Sequence, residues 1–306
     1  MARMAEKNQL SGRRFFVVTL LNAGITVVEI LGGLFSGSLS LLSDAFHNLG
    51  DTFSILIGYV AHRISQRTED ERNTFGYGRA QILAALLNAT LLIVVSLFLI
   101  VEAVRRLSQP ESIDGGLMLT VAVIGLLANL ISTVMMHRGS KHNMNMKATY
   151  LHLLSDTLSS FGVIIGALLI EWYNITIVDP IITVLVAGYI MFESWPIIRH
   201  AIQILMQGAP DIDYDAIKAD LKAIPGITNV HHLHAWMMDE NRIVLSVHVN
   251  MDDMKLSEAE RLYRQIEHVL KEKYHVYHVT IQAEDLRGHD EELICNDSEL
   301  HEQHEH

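Results

Sequence analysis

Six stretches of this 306-residue chain are each about 20 residues long and mainly apolar, the length a helix needs to cross a bilayer. They lie at 15–35, 39–61, 80–104, 115–136, 148–170 and 177–198. The run VAVIGLLANLISTVMM (121–136) has no charged residue on any face, whereas a helix of a soluble bundle needs a polar stripe. The expectation is a six-helix transmembrane domain over 15–208. The preceding segment, 1–14, lacks the apolar core and cleavage site of a signal peptide.

Positive charge gives an expected orientation. Arg3, Lys7, Arg13 and Arg14 precede the first run. Arg63, Arg67, Arg72 and Arg79 lie between or flank the second and third, and Arg138, Lys141 and Lys147 lie between the fourth and fifth. Arg199 follows the sixth, while SGSLS and YNITI, after the first and fifth, carry neither Lys nor Arg. Arg105 and Arg106 are the exception on the outer side. Both termini are therefore expected in the cytoplasm, with the chain in the cell membrane.

Charged residues inside such runs are costly, about 2.5–3.5 kcal/mol each at the bilayer centre on insertion scales. Yet the second run contains His47 and Asp51, and the fifth contains His152 and Asp156. Each pair is spaced i, i+4 and shares one helical face. If the two faces meet, they make a site of two imidazoles and two carboxylates that suits tetrahedral zinc, with cadmium or cobalt as further candidates. The plainer alternative is two intramembrane ion pairs that hold helices together. The doubling of the pattern favours the metal.

Asp44, three residues before His47, has three readings: a partner that orients the imidazole, a proton relay, or a solvated group at the outer end of its helix. Asn48, Asn88 and Asn129 are expected in interhelical hydrogen bonds, and Glu29 in packing. Glu102, Glu171, Asp179 and Glu193, near run ends, are expected in water.

Net charge separates a second region. Residues 1–208 contain 14 Lys and Arg against 14 Asp and Glu, whereas 209–306 contain 9 against 21, the whole net charge of −12, and 11 of the 17 histidines. This acidic balance without a basic patch excludes nucleic acid as an expected partner. The single cysteine, Cys295, rules out an internal disulfide and fits a reducing cytosol. Periodicity over 209–286 predicts a small α+β domain: a helix at 214–224, strands at 228–237 and 242–250 about a turn at 239–241, a helix at 257–273 and a strand at 276–284. In alternating strands, His232 and His234 face one way and His231 the other. The acidic tail 287–306, with His289, Cys295, His301, His304 and His306, is low in apolar residues and reads as disordered.

GSLSLLSDAFHNLGD (37–51), TFGYGRAQILAALLNA (74–89), HLLSD (152–156) and VHHLHAW (230–236) together resemble the cation diffusion facilitator family, in particular its bacterial zinc and cadmium efflux branch. The resemblance covers nearly the whole chain. It implies a homodimeric, non-enzymatic exporter that exchanges Zn2+ for protons by alternating access, with its transport site on His47, Asp51, His152 and Asp156. It also implies a metallochaperone-like cytoplasmic domain of order αββαβ, with a structural or regulatory zinc on His231, His248 and Glu284, and His234 nearby. Some members place a histidine where this chain has Gln282. Some carry a further metal site between the second and third spans. Here Asn73 and Tyr77 occupy its positions and only Asp70 remains, so a structural connection is expected. A metal sensor without transport and a membrane metalloenzyme are the rival classes. The sequence contains no HExxH to favour the latter.

Overall fold

The computed structural model describes the backbone of residues 2–140, 144–288 and 292–294, and the side chains of 17–135, 150–288 and 292–294. Cys295, His289 and the remaining tail histidines lie outside the described residues, as do the side chains of the basic residues before the first span and between the fourth and fifth. The chain divides into two compact units, 1–60 with 84–198, and 61–83 with 199–306.

Six long helices make up the membrane part: α1 (Ala2–Ser36), α2 (Leu39–Ser65), α3 (Arg79–Ser108), α4 (Gly115–Ser140), α5 (Met144–Tyr173) and α6 (Val178–Leu205). Among the described residues, five of them are long and apolar enough to cross a membrane: all but α2. The exception carries Asp44, His47, Asn48 and Asp51, and these polar residues point inward. In the first unit the usual soluble pattern is reversed. Leu34, Leu87, Phe98, Leu158, Leu185 and Phe192 are exposed, whereas Glu29, Asp44, His47, Asn48, Asn129 and Asp156 are buried. A helix surrounded by lipid gains nothing by hiding leucine, but its polar groups must find one another.

Small residues allow the close packing that this pairing needs. A Cβ on Gly50 would meet the end of the Leu92 side chain of α3 at 2.4 Å, so the bare glycine makes room for Leu92 directly before Asp51. At the other end of α2, Asp179 corrects a sequence expectation. It is fully buried rather than solvated. From α6 it accepts hydrogen bonds from Leu39 N (2.8 Å), Ser40 N (3.1 Å), Ser38 Oγ (2.6 Å) and Ser40 Oγ (2.6 Å). The first backbone donors of α2 have no partner within the helix, and a carboxylate borrowed from another helix supplies one. Glu102 is also not simply solvated. It pairs with Arg105 and Arg106, and the Arg106 guanidinium reaches the Gly37 carbonyl at 2.5 Å, which offsets the two arginines that break the charge pattern.

In the second unit, α7 (Tyr214–Lys222), β1 (Ile227–Met237), β2 (Ile243–Met251), α8 (Leu256–Tyr274) and β3 (Val276–Glu284) follow the expected αββαβ order. Strand β2 is central, antiparallel to β1 and parallel to β3, with α8 as the crossover that a parallel pair requires. Asp213 caps α7 through Ala216 N. The core comprises Ile217 and Leu221 of α7, Leu245 and Val247 of β2, and Ile266 and Leu270 of α8, all fully buried. Beyond β3 the chain turns back on the domain. Leu293 packs into this core, and its carbonyl accepts from Leu233 N at 2.8 Å.

The connection 66–78 belongs to this unit. Its Asp70 carboxylate accepts from Arg72 N, Asn73 N and the Tyr77 hydroxyl, which closes a turn. The Tyr77 bond, followed by the backbone bonds, holds Asp70 below the usual carboxylate range.

Replacing Asp179 with alanine strands the Leu39 and Ser40 donors in a buried place. The expected loss is about 2–4 kcal/mol, against a smaller loss for Asp179→Asn, which keeps one acceptor oxygen. Thermal melting of the two variants in detergent checks both the size and the order.

Candidate metal centres

Helices α2 and α5 bring three of the four sequence-predicted membrane residues, His47, His152 and Asp156, into one group, with Asp51 against His152 at its edge, and the contacts run crosswise. His47 Nε2 of α2 lies 3.4 Å from Asp156 Oδ1 of α5. His152 Nε2 of α5 lies 3.0 Å from Asp51 Oδ2 of α2, and 3.8 Å from Asp156 Oδ2 on its own helix. The two imidazoles meet edge to face with centroids 5.6 Å apart. Donor atoms of His47, His152 and Asp156 all fall within 4.8 Å of one another. Asp51 joins them through its contact with His152.

The spacing decides what such a cluster can hold. A tetrahedral ion with bonds near 2.0 Å has ligand-to-ligand edges of about 3.3 Å, close to the three separations here. Two atoms also lack partners among the described residues: His47 Nδ1 and Asp156 Oδ2 are buried without a hydrogen bond. A buried carboxylate oxygen left unbonded is expensive, and a cation would satisfy it. Accessibility falls across the cluster. The side chains of His152 and Asp51 are 37% and 24% exposed, those of His47 and Asp156 10% and 3%. The site is therefore open on the His152–Asp51 side and shut behind His47–Asp156.

The neighbouring polar residues settle several open readings. Asp44 is buried, which removes its solvated reading, and it accepts from Ser160 Oγ (3.1 Å) and Ser159 Oγ (3.4 Å) of α5. Asn129 of α4 donates to the same Ser160 at 3.0 Å. Asn48 donates to Glu29 of α1 at 2.9 Å. These are interhelical bonds of the expected kind, but Asn88 Oδ1 is buried without a partner among the described residues. Sequence reasoning misses the roles of Ser159, Ser160 and Asp179, because serine in an apolar run is unremarkable until its partner's position is known.

The second cluster lies in the second unit. Glu284, from the end of β3, bridges two imidazoles: its Oε2 is 3.1 Å from His231 Nε2 and its Oε1 is 3.2 Å from His248 Nδ1. Register places them, since His231 pairs with His248 across β1–β2, and Asn250, further along β2, faces Glu284 across β2–β3. Burial holds His248 below the usual imidazole range, against the opposing pull of Glu284, so its neutral, metal-ligating form is favoured. Gln282 donates to Glu284 Oε1 at 2.6 Å. Gly288, with φ of +65°, crosses over His231 so closely that a Cβ would lie 2.2 Å from Nε2.

Strict alternation of the β1 histidines does not hold. The register shifts between His231 and His234, and His232 takes a left-handed φ of +48°. A bulge of this kind rotates the side chains that follow. Both His231 and His232 consequently place their rings against His248, with centroids 5.5 and 4.5 Å away. His234 Nε2 sits 3.2 Å from His232 Nε2 on the exposed side.

Family comparisons agree with this architecture. A family model described as the cation efflux transmembrane domain matches residues 15–206, and one for the cytoplasmic domain of cation efflux proteins matches 209–286. The zinc transporter ZitB of Escherichia coli is 37% identical over 299 residues, covering 97% of this chain and 95% of that protein. A cadmium, cobalt and zinc/H(+)-K(+) antiporter of Bacillus subtilis is 36% identical over 294 residues, 94% of each. The metal cation efflux system protein CzcD of Cupriavidus metallidurans is 36% identical over 273 residues, 89% of this chain and 86% of that protein. A membrane domain and a cytoplasmic domain in that order, each matched over its length, establish that the chain is a multi-pass transporter of the cation efflux family.

Proposed function

We propose that this protein exports Zn2+ from the cytoplasm in exchange for protons, with cadmium and cobalt as further cargo, and that His47, Asp51, His152 and Asp156 bind the ion in transit. The observation that carries this reading is the crosswise contact of two His/Asp pairs from α2 and α5, with separations suited to a tetrahedral ion. The donor set of two nitrogens and two oxygens suits borderline divalent ions. The names of the relatives point to the same metals.

Proton exchange follows from the ligands. Imidazole and carboxylate bind metal only when deprotonated, so protons and cation compete for one set of atoms. An ion that enters from the open His152–Asp51 side is released once the site faces a more acidic compartment and its ligands take up protons. The Lys and Arg residues ahead of the first apolar run and around the connection from α2 to α3 support an orientation with both termini in the cytoplasm. The second cluster supports a resident zinc held by His231, His248 and Glu284. That ion would tie β1, β2 and β3 together and steady a homodimer formed through the cytoplasmic domains.

Three outcomes are expected. Proteoliposomes containing the protein accumulate zinc under a pH gradient, and Asp156→Ala or Asp51→Ala reduces that flux about a hundredfold or more, because a missing ligand leaves the ion short of charge and coordination. Absence of proton-coupled flux in the wild type would sink the reading, and a sensor would bind zinc without moving it. In an Asp156→Ala background, dialysed protein retains close to one zinc per chain, and His231→Ala removes it, as metal analysis would show. For the metal-free protein, the folded His248 binds its proton less readily than the unfolded chain does. Stability contributed there is complete above the ordinary imidazole pKa of about 6.5 and declines as the solution is made more acidic. Melting curves of metal-free protein between about pH 5 and pH 8 test that slope.

A further inference from the structure

We propose that Glu29 and Asp44 are proton-carrying residues of the exchange cycle, set in the closed half of the ion pathway behind the four-residue site. This rests on the transport reading above. Glu29 is 1% exposed and Asp44 4%, deeper than Asp51 or His152. Neither touches the four candidate ligands among the contacts described. Each is bound to the turn beside them: Glu29 through Asn48, the residue after His47, and Asp44 through Ser159 and Ser160, one turn beyond Asp156.

The surroundings supply no fixed positive charge. The apolar segments 17–36, 39–61, 115–135 and 150–173 contain no lysine or arginine. The titratable groups acting on Glu29 are Asp44 and His47 of α2 and Asp156 of α5. Those acting on Asp44 include His47 and Asp156. On the α4 side Glu29 faces Gly125, whose missing side chain makes the room: a Cβ there would lie 2.5 Å from Glu29 Oε1. Asn48 Oδ1 is buried without a partner among the described residues, so an acceptor stands beside the Glu29 carboxyl with nothing yet donated to it.

A carboxylate buried without a cation is too costly to persist, while a protonated carboxyl with amide and hydroxyl partners is not. With a dication on the site, Asp51 and Asp156 balance its two charges, and Glu29 and Asp44 stay neutral by holding one proton each. When the ion leaves, two uncompensated carboxylates remain, and protons held behind them can move onto the vacated ligands. Each proton that leaves a Glu29 or Asp44 carboxyl is replaced from water on the newly opened side. The cluster remains near neutrality throughout, and the far half of the pathway supplies the protons that expel the ion.

The test uses purified full-length protein, as wild type, Glu29→Gln and Asp44→Asn. Zinc affinity in detergent is read by calorimetry, and zinc flux and proton movement are read together in proteoliposomes with a pH-sensitive dye. Glu29→Gln, which preserves shape, is expected to keep zinc affinity within about threefold and to leave the protons moved per zinc unchanged, yet to slow proton-coupled zinc flux about tenfold or more and to shift the pH of half-maximal flux by about one unit. Asp44→Asn is expected to act in the same direction. Unchanged flux and pH profile in both variants would overturn the proposal while leaving the four-residue site intact. If wild type moves no zinc, the transport reading fails and takes this inference with it. Infrared spectra of the wild type before and after zinc addition need no variant to fold. A carboxylic-acid carbonyl band that persists in the zinc-loaded state, where Asp51 and Asp156 are ligands, supports the proposal, and its absence from the zinc-loaded state counts against it.

Discussion

The membrane unit depends on one constraint: ionisable side chains placed within membrane-spanning helices must be satisfied by each other or by an ion. The crosswise pairing of His47 with Asp156 and His152 with Asp51 answers it between α2 and α5. Each helix alone would carry an imidazole and a carboxylate into lipid at a cost of several kcal/mol. Together they form a compact polar centre in which the buried Asp156 Oδ2, without a hydrogen bond among the described residues, suits a bound cation. The same requirement organises the shell around that centre. Asn48, Asn129, Ser159 and Ser160 bond across helices, and Asp179 caps α2 from α6, which fixes how that helix presents its ligands.

The cytoplasmic unit solves a different problem with similar residues. A three-stranded sheet with two helices on a compact core is small, and a bridge from Glu284 to imidazoles on two other strands ties the whole sheet across its width. The bulge at His232 costs some backbone strain, about 1–3 kcal/mol for a non-glycine residue in the left-handed region, and turns a second ring toward His248. Strain of this kind persists where the surrounding contacts dictate it.

Much of this architecture is legible in the order of residues. The apolar runs locate all six helices, since a bilayer imposes length and composition together, although α1 starts well before its run, at Ala2, and α6 continues past its run to Leu205. The i, i+4 spacing places each His with its Asp, because helical geometry is local. Alternating strands and amphipathic helices report the αββαβ order for the same reason. Two readings fail where the deciding contact is distant in sequence. Asp179 looks solvated because its position near a helix end says nothing about the backbone donors about 140 residues earlier that it meets. The β1 histidines look alternating because a bulge depends on pairing with β2 and on the Leu293 carbonyl, neither of which leaves a mark in the local pattern.

The sequence by itself determined that this chain spans a membrane, that two of its helices each carry one imidazole and one carboxylate on a shared face, and that a small acidic α+β domain follows. These properties are set by hydrophobic length and by the periods of helix and strand. Only the tertiary structure decided that the pairs meet crosswise, that one side of the cluster is open and the other shut, and that Glu29 and Asp44 stand behind it. Rotation and close approach of helices are fixed by long-range contacts, the bare surface of Gly50 against Leu92 and the cap from Asp179 among them. No spacing along one segment encodes such contacts, because each needs two distant parts of the chain to meet.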